Sequence, residues 1–313
     1  MGNFHPFRFG VTSHLADTKE AWIAKAQRAE QLGYSVLILP DHLSDQLAPG
    51  IAMALAAEAT QTLRIGSCVF NNDFRHPAML AKEAATLDFL SGGRFELGLG
   101  AGWQQVDYER VGIPFDPAGV RISRLEESVQ LIKKLFTEEV TAFSGSYYHV
   151  KDYHGLPKPL QHPYPPIMLS GGSKRMLSLA AREADIITIN PAVKADGNTV
   201  EMLDAMPEVT ARKIDWIREA AGERFAAIEL NILVFEVVIT EDAPLEANTE
   251  VTGVAADITG GQALQGIYVF VGSVDQICEQ LQANRERFGI SYISVFEKDM
   301  EKFAPVVARL SGK

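Results

Sequence analysis

Ser35 to Leu39 reads SVLIL, an unbroken apolar run of strand length that ends at Pro40-Asp41-His42. A strand that is apolar at every position is buried on both faces, as in a parallel sheet covered by helices. The neighbouring segments repeat the condition. Phe7 to Thr12 (FRFGVT) reads as a first strand. Behind it Trp22, Ala26, Ala29 and Leu32 fall on one helical face, with Asp17 and Glu20 spaced as a capping box and Gly33 placed as the C-cap. The same beat continues through a helix over Ile51 to Thr60, a strand over Arg64 to Phe70, a helix from Pro77 to about Leu90 and a strand over Arg94 to Gly98.

Arg121 to Phe136 is amphipathic, with Ile122, Leu125, Val129, Ile132 and Leu135 on its apolar stripe. Thr141 to Pro166, rich in Tyr, His and Pro, reads as a long irregular excursion. The rhythm then resumes with a strand over Ile167 to Leu169, a helix over Lys174 to Glu183 and a strand over Asp185 to Asn190. Glu201 to Ala221 is helical with an interruption at Pro207, Ala227 to Ile239 is one long β-rich segment, and Gly260 to Gly266 breaks the pattern. Ser273 and Gln276 form a second capping box, for a helix that ends near Gly289; the strand Ile290 to Phe296 and a last helix follow.

Eight strands, each followed by a helix or an irregular segment, predict an α/β fold: a TIM (β/α)8 barrel with insertion segments at its C-terminal face. An open doubly wound sheet is the rival. No shift in composition marks a boundary, so residues 1–313 are expected to form a single domain. The length beyond a minimal barrel falls around 141–166 and 242–266, where it could cover a site.

Forty acidic against twenty-nine basic residues give a formal charge of −11, which disfavours a nucleic-acid partner. Cys68 and Cys278 are far apart and outside any CxxC pair, so they read as small buried hydrophobes rather than a disulfide or thiolate site. No run of about 18 apolar residues occurs, and MGNFHPFRFG lacks the features of a secretion signal. A cytoplasmic protein with no membrane partner is expected.

In a barrel, reactive groups stand just after the strands. His42 follows a buried strand beside Asp41 and could donate a hydrogen bond or a proton; a capping or solvent-facing histidine is the alternative. Asn71 and Asn72 can each donate and accept toward the edge of a ring bearing carbonyls and nitrogens, or can be turn formers. Gly98-Leu99-Gly100-Ala101-Gly102-Trp103 has GxGxG spacing and is followed by what reads as a polar, Pro-containing loop, which disfavours a dinucleotide fingerprint. Those glycines would let a flat ring press on backbone, or they form a barrel-rim turn. Ser170-Gly171-Gly172-Ser173 lies before a helix N-terminus, where a phosphate is favoured; a plain turn with Ser173 as N-cap competes. His149, His154 and His162 lack metal-ligand spacing, so no metal is expected. No GxSxG elbow, P-loop or cysteine–histidine nucleophile signature occurs. Glu126-Glu127 and Glu138-Glu139 read as solvated helix faces.

Taken jointly, several motifs resemble the bacterial luciferase-like family of flavin and deazaflavin oxidoreductases. They are Gly33-Tyr34 leading to Pro40-Asp41-His42, Asn71-Asn72-Asp73-Phe74-Arg75-His76-Pro77, Leu90-Ser91-Gly92-Gly93-Arg94, Gly98 to Trp103, Arg124-Leu125-Glu126-Glu127, Pro165-Pro166-Ile167 and Ser170-Gly171-Gly172. The resemblance runs from about Phe7 to Leu310. It implies a TIM barrel that binds coenzyme F420 or FMN at its C-terminal mouth, with a non-proline cis peptide somewhere from Ser67 to Asn71. It also implies His42 and Trp103 as catalytic residues beside the ring, and Asp41, His42, Phe70, Asn71, Asn72, Gly100 and Gly102 around the cofactor. Ser170, Gly171, Gly172 and Ser173 would take its phosphate, with Asn190 near its tail or the substrate. Relatives that oxidise sugar phosphates have a glutamate where this chain has Trp103, which points away from such substrates.

The function expected is hydride transfer between F420 and a small organic substrate. The alternative is an FMN-dependent two-component monooxygenase supplied by a separate reductase, and a barrel without redox activity is the third. A homodimer is the family-level expectation.

Overall fold

The computed structural model describes residues 4–194, 197, 199–241, 262 and 265–313. In chain order the elements are β1 (Arg8–Thr12), α1 (Lys19–Gln31), β2 (Val36–Leu39), α2 (Pro49–Glu58), β3 (Arg64–Ser67), β4 (Phe70–Asn71) and α3 (Pro77–Leu90). Then come β5 (Phe95–Gly100), α4 (Gln105–Val111), α5 (Ala118–Thr137), β6 (Thr141–Ser144), β7 (His149–Tyr153), β8 (Ile167–Gly171) and α6 (Lys174–Glu183). The remainder comprises β9 (Ile186–Ile189), α7 (Pro207–Ala221), β10 (Glu229–Val234), β11 (Glu236–Ile239), β12 (Val269–Gly272), α8 (Val274–Phe288), β13 (Ile290–Phe296) and α9 (Met300–Leu310).

One hydrogen-bonded sheet runs in the order β3-β2-β1-β13-β10-β9-β8-β5-β4, and β3 also pairs with β5, so the sheet closes on itself. β3 and β4 are two pieces of one stave interrupted at Cys68–Val69, which makes eight staves. The fold is a closed parallel barrel with surrounding helices, the TIM (β/α)8 architecture. By packing, the chain divides into two compact units.

One unit comprises Met1–Ser13, Arg28–Leu37 and Ser170–Lys313. β13 pairs with β1 and β10, and β10 also pairs with β9. Phe9, Val11, Ile232, Val234, Ile293 and Val295 are fully buried in it. The buried amide of Asn231 is satisfied on both sides: its Oδ1 accepts from the Thr188 hydroxyl, and its Nδ2 donates to Tyr292 O and Ser294 Oγ. The capping box at Ser273 and Gln276 is formed, and Gly289 ends α8 with φ +79°.

The other unit comprises His14–Gln27 and Ile38–Leu169. β3 and β4 pair with β5, and β5 pairs with the start of β8. The Arg94 guanidinium donates to the carbonyls of Ala57, Leu63 and Ser91, tying the ends of α2 and α3 to the start of β5. The buried Asp88 carboxylate accepts the N–H groups of Leu160 and Gln161, which anchors the strand-free stretch before β8.

Several sequence expectations are corrected. α1 is capped by Thr18, whose Oγ1 accepts from Ala21 N, so the Asp17–Glu20 spacing is not its box. The strand read as Arg94 to Gly98 runs on to Gly100, and the segment read as a polar loop after Trp103 contains α4. Ala227 to Ile239 is two strands, β11 pairing with β12 instead of continuing β10. The excursion from Thr141 to Pro166 is not wholly irregular, because β6 and β7 form an antiparallel hairpin there. Glu127 is no free solvated group: its carboxylate accepts the N–H groups of Ser146, Tyr147 and Tyr148 in the hairpin turn. Cys278 is buried as expected, whereas Cys68 is only half-buried. The segment 242–261, with most of the Gly260 to Gly266 break, lies outside the described residues.

Candidate active site

β2 is buried at all four positions and releases the chain at Pro40, within the unit that carries residues 38–169. Asp41 follows, 7% exposed, and its carboxylate is engaged on both oxygens. Oδ2 accepts from Asn71 N at 3.0 Å and from Arg75 at 2.6 Å, and Oδ1 accepts from the other Arg75 nitrogen at 3.1 Å. This bidentate pair fixes the end of β2 to the end of β4.

His42 stands next. Its Nδ1 lies 2.7 Å from Asp107 Oδ2, and its ring meets Trp103 edge-on, with centroids 5.8 Å apart and planes at 89°. The His42 side chain is 25% exposed against 3% for Asp107. A carboxylate only accepts, so a hydrogen bond between the two requires the proton on Nδ1.

The peptide Cys68–Val69 is cis and non-proline, within the stretch where one was expected. Phe70, fully buried, pairs with Leu99 across β4 and β5 and has the Arg75 guanidinium 4.8 Å from its ring centroid. Asn71 accepts on Oδ1 from Asp73 N and from the Tyr108 hydroxyl. Asn72, 1% exposed, donates from Nδ2 to the Tyr148 hydroxyl at 3.2 Å, while its Oδ1 is buried without a partner. Burial and the nearby Asp73 charge raise the Tyr108 pKa, keeping the phenol protonated as a donor.

The glycines of the loop are explained by the protein's own atoms. A Cβ on Gly100 would lie 2.4 Å from Val69 Cγ2, and one on Gly102 would lie 1.8 Å from the Tyr108 hydroxyl. Arg121 donates to the carbonyls of Ala101 and Gly102, so this turn is held from behind. Burial lowers the Arg121 pKa. Arg124 bridges Asp73 and Asp116 beside it.

In the unit that carries residues 170–313, Ser173 is the N-cap of α6, its Oγ accepting from Met176 N at 3.3 Å. Ser173 and Lys174 thus stand at the positive end of a helix of 10 residues. Ser170 Oγ accepts from Asn190 Nδ2 at 2.8 Å, and Asn190 N donates to Gly171 O. A Cβ on Gly172 would lie 2.5 Å from Asn190 O, so backbone fills the space a side chain would need. Lys213, 1% exposed, donates to Asn190 O at 2.7 Å and pairs with Asp204. Burial lowers the Lys213 pKa, and Asp204 opposes that shift.

The structure thus gathers Asp41, His42, Phe70, Asn71, Asn72, Gly100, Gly102 and Trp103 in one unit, and Ser170 to Ser173 with Asn190 in the other. Asp107 and Lys213 were missed in sequence. Asp107 sits in the stretch read as a loop; Lys213 shares the buried face of Thr210, Ile214 and Ile217, where a lysine is itself a signal. His149, His154 and His162 are exposed, and among the described residues no cluster of three or more His, Cys, Asp or Glu could hold a metal. No helix among them is long and apolar enough to cross a membrane.

A closed parallel barrel with a histidine–carboxylate pair just after its strands defines the class, a barrel protein with reactive groups at the strand ends. The chain belongs to the luciferase-like monooxygenase family, whose model matches residues 1–263, a family of oxidoreductases. It is similar to an FMNH(2)-dependent dimethylsulfone monooxygenase of Pseudomonas putida, 31% identical over 206 residues, covering 66% of this chain and 52% of the relative. It is also similar to an F420-dependent glucose-6-phosphate dehydrogenase of Intrasporangium calvum, 34% identical over 155 residues, covering 46% of each. The chain thus spans about half the length of these curated relatives. Among solved structures, the coenzyme F420 dependent tetrahydromethanopterin reductase of Methanopyrus kandleri superposes with a TM-score of 0.77 at 18% identity, covering 98% of this chain and 100% of that one. At that identity the likeness concerns the fold alone.

Proposed function

We propose that the chain is an oxidoreductase that passes hydride between coenzyme F420 and a small organic substrate. The observation that carries this reading is His42: an imidazole at a strand end, held at Nδ1 by Asp107 and flanked by Trp103, with 25% of its side chain exposed. The likeness to the F420-dependent dehydrogenase of Intrasporangium calvum supports the choice of F420.

Residues of each unit, taken by itself, suit part of such a cofactor. Ser173 and Lys174 stand at a helix N-terminus, where backbone N–H groups favour an anionic phosphate and no cationic surface is needed. At the other group, Gly100 to Gly102 offers turn backbone beside Trp103. When bound, the cofactor supplies the hydride chemistry. His42 then holds or takes a proton at Nε2, Asp41 and Arg75 fix the end of β4, and Arg121 keeps the glycine turn in place. Trp103 forms an apolar wall, which favours an apolar or aromatic substrate over a sugar phosphate. The whole chain is proposed to act as one functional domain and as a homodimer.

The second reading is an FMN-dependent monooxygenase with a reductase partner. The relative from Pseudomonas putida favours it, because that match covers the larger share of this chain. Titration of the apoprotein in parallel with F420 and FMN tests both. Saturable F420 binding supports the first reading, tight FMN binding without F420 selects the second, and binding of neither leaves a barrel without redox function.

A further inference from the structure

We infer that Asp107 is a positioning residue that holds His42 in its Nδ1–H tautomer, so that the Nε2 lone pair faces the reacting atoms. Its consequence for catalysis rests on the reading of His42 given above; the tautomer itself does not.

The sequence places an aspartate in the first turn of α4, where it could simply complement the helix dipole. The structure argues otherwise. That carboxylate caps no N–H of its own turn and does not reach solvent, being 3% exposed. Its Oδ1 is buried without a partner, and Oδ2 spends its one close contact on His42 Nδ1 at 2.7 Å. Burying a carboxylate with a single partner is costly, so a residue kept only for the helix would lie outside or be neutral. The partner, in turn, is an imidazole whose side chain is 25% exposed. The backbone of His42 is fixed separately, its N–H donating to Gln46 Oε1 at 3.2 Å, which leaves the ring orientation to Asp107 and Trp103. An imidazole held this way has one nitrogen assigned as donor and the other as acceptor, the general logic by which a carboxylate behind a histidine sets its tautomer.

The test uses full-length protein labelled with 15N-histidine, the His42 signals being assigned by their loss in His42→Gln. Side-chain 15N shifts of neutral His42 are compared in the wild type, Asp107→Asn and Asp107→Ala. Expected are a dominant Nδ1–H form in the wild type and a tautomer ratio shifted at least about tenfold toward Nε2–H in both variants. An Nε2–H form in the wild type overturns the inference, as does a ratio unchanged within about twofold in either variant. If one variant fails to fold in a thermal melt, the other carries the comparison, and the wild-type tautomer is decisive alone. Titrating the same samples with F420 and FMN separates the two readings: no binding of either with the Nδ1–H signature intact removes the cofactor and leaves Asp107 in its role.

Discussion

Gly98 stands against the backbone of Ser67: a Cβ added to it would lie 1.7 Å from the Ser67 carbonyl oxygen. The Ser67 hydroxyl completes the contact, donating to Gly98 O at 2.9 Å and accepting from Gly98 N at 3.0 Å. The first glycine of the loop is therefore a requirement of packing between β3 and β5, whatever ligand lies beyond. Since the obstructing atom is backbone, it cannot turn aside as a side chain would. Gly98→Ala is expected to lose about 1–3 kcal/mol or more, the ordinary cost of overpacking. A urea unfolding curve coincident with that of the wild type would remove this explanation of the glycine.

The Asp41–Arg75 pair has the same double character. Asp41 is 5% exposed at its side chain and Arg75 24%, and the carboxylate also takes Asn71 N–H. Removing one partner of a buried pair strands the other, at a cost of about 3–5 kcal/mol. Asp41→Ala is expected to fall in that range, and Asp41→Asn below it, since an amide oxygen still accepts from Asn71 N. Equal losses in the two variants, measured by denaturant unfolding, would show that the Asn71 contact contributes nothing.

The contrast between these two sites shows what a sequence can disclose. Val36 to Leu39 was legible because burial on both faces leaves a continuous apolar run. His42 was legible because a strand end in a barrel is a place for chemistry. Asp107 was not, because α4 has only 7 residues and follows a glycine turn, so no helical period could build up. The β6–β7 hairpin was hidden for a related reason. Its strands are mostly exposed, so they lack apolar alternation, and its turn is held by Glu127, 19 residues or more away in sequence. A contact at that separation has no local signature. Ser173, by contrast, is a cap of its own helix, and the local reading found it.

Asp299 gives a pH dependence with a definite sign. It is 0% exposed; burial raises its pKa, while Lys302, 2.8 Å away, and Lys298 pull it down. The folded carboxyl therefore binds its proton more tightly than the unfolded one. Its contribution to stability is fully present below the ordinary aspartate value of about 3.9 and is lost as pH rises through the elevated folded value. Asp299→Asn removes the linkage. The wild type should thus be less stable relative to Asp299→Asn at neutral pH than below pH ~4. A stability difference between the two that is flat from acid to neutral pH would contradict this.

The edge-on contact of His42 with Trp103 offers a reporter that needs no substrate. The chain has three tryptophans. Trp22 is buried, with its indole N–H donating to Ala52 O, and Trp216 lies on α7. Trp103 alone of the three has an aromatic ring contact with a histidine, at 5.8 Å. An imidazole ring in contact with an indole perturbs its emission. Tryptophan emission at one fixed neutral pH is therefore expected to change in His42→Gln, and to show no further change when His42→Gln is added to Trp103→Phe, where the reporter is gone. A change on His42→Gln that persists undiminished in the Trp103→Phe background would mean that another tryptophan reports it, and the contact would then lose its claim to describe the protein in solution.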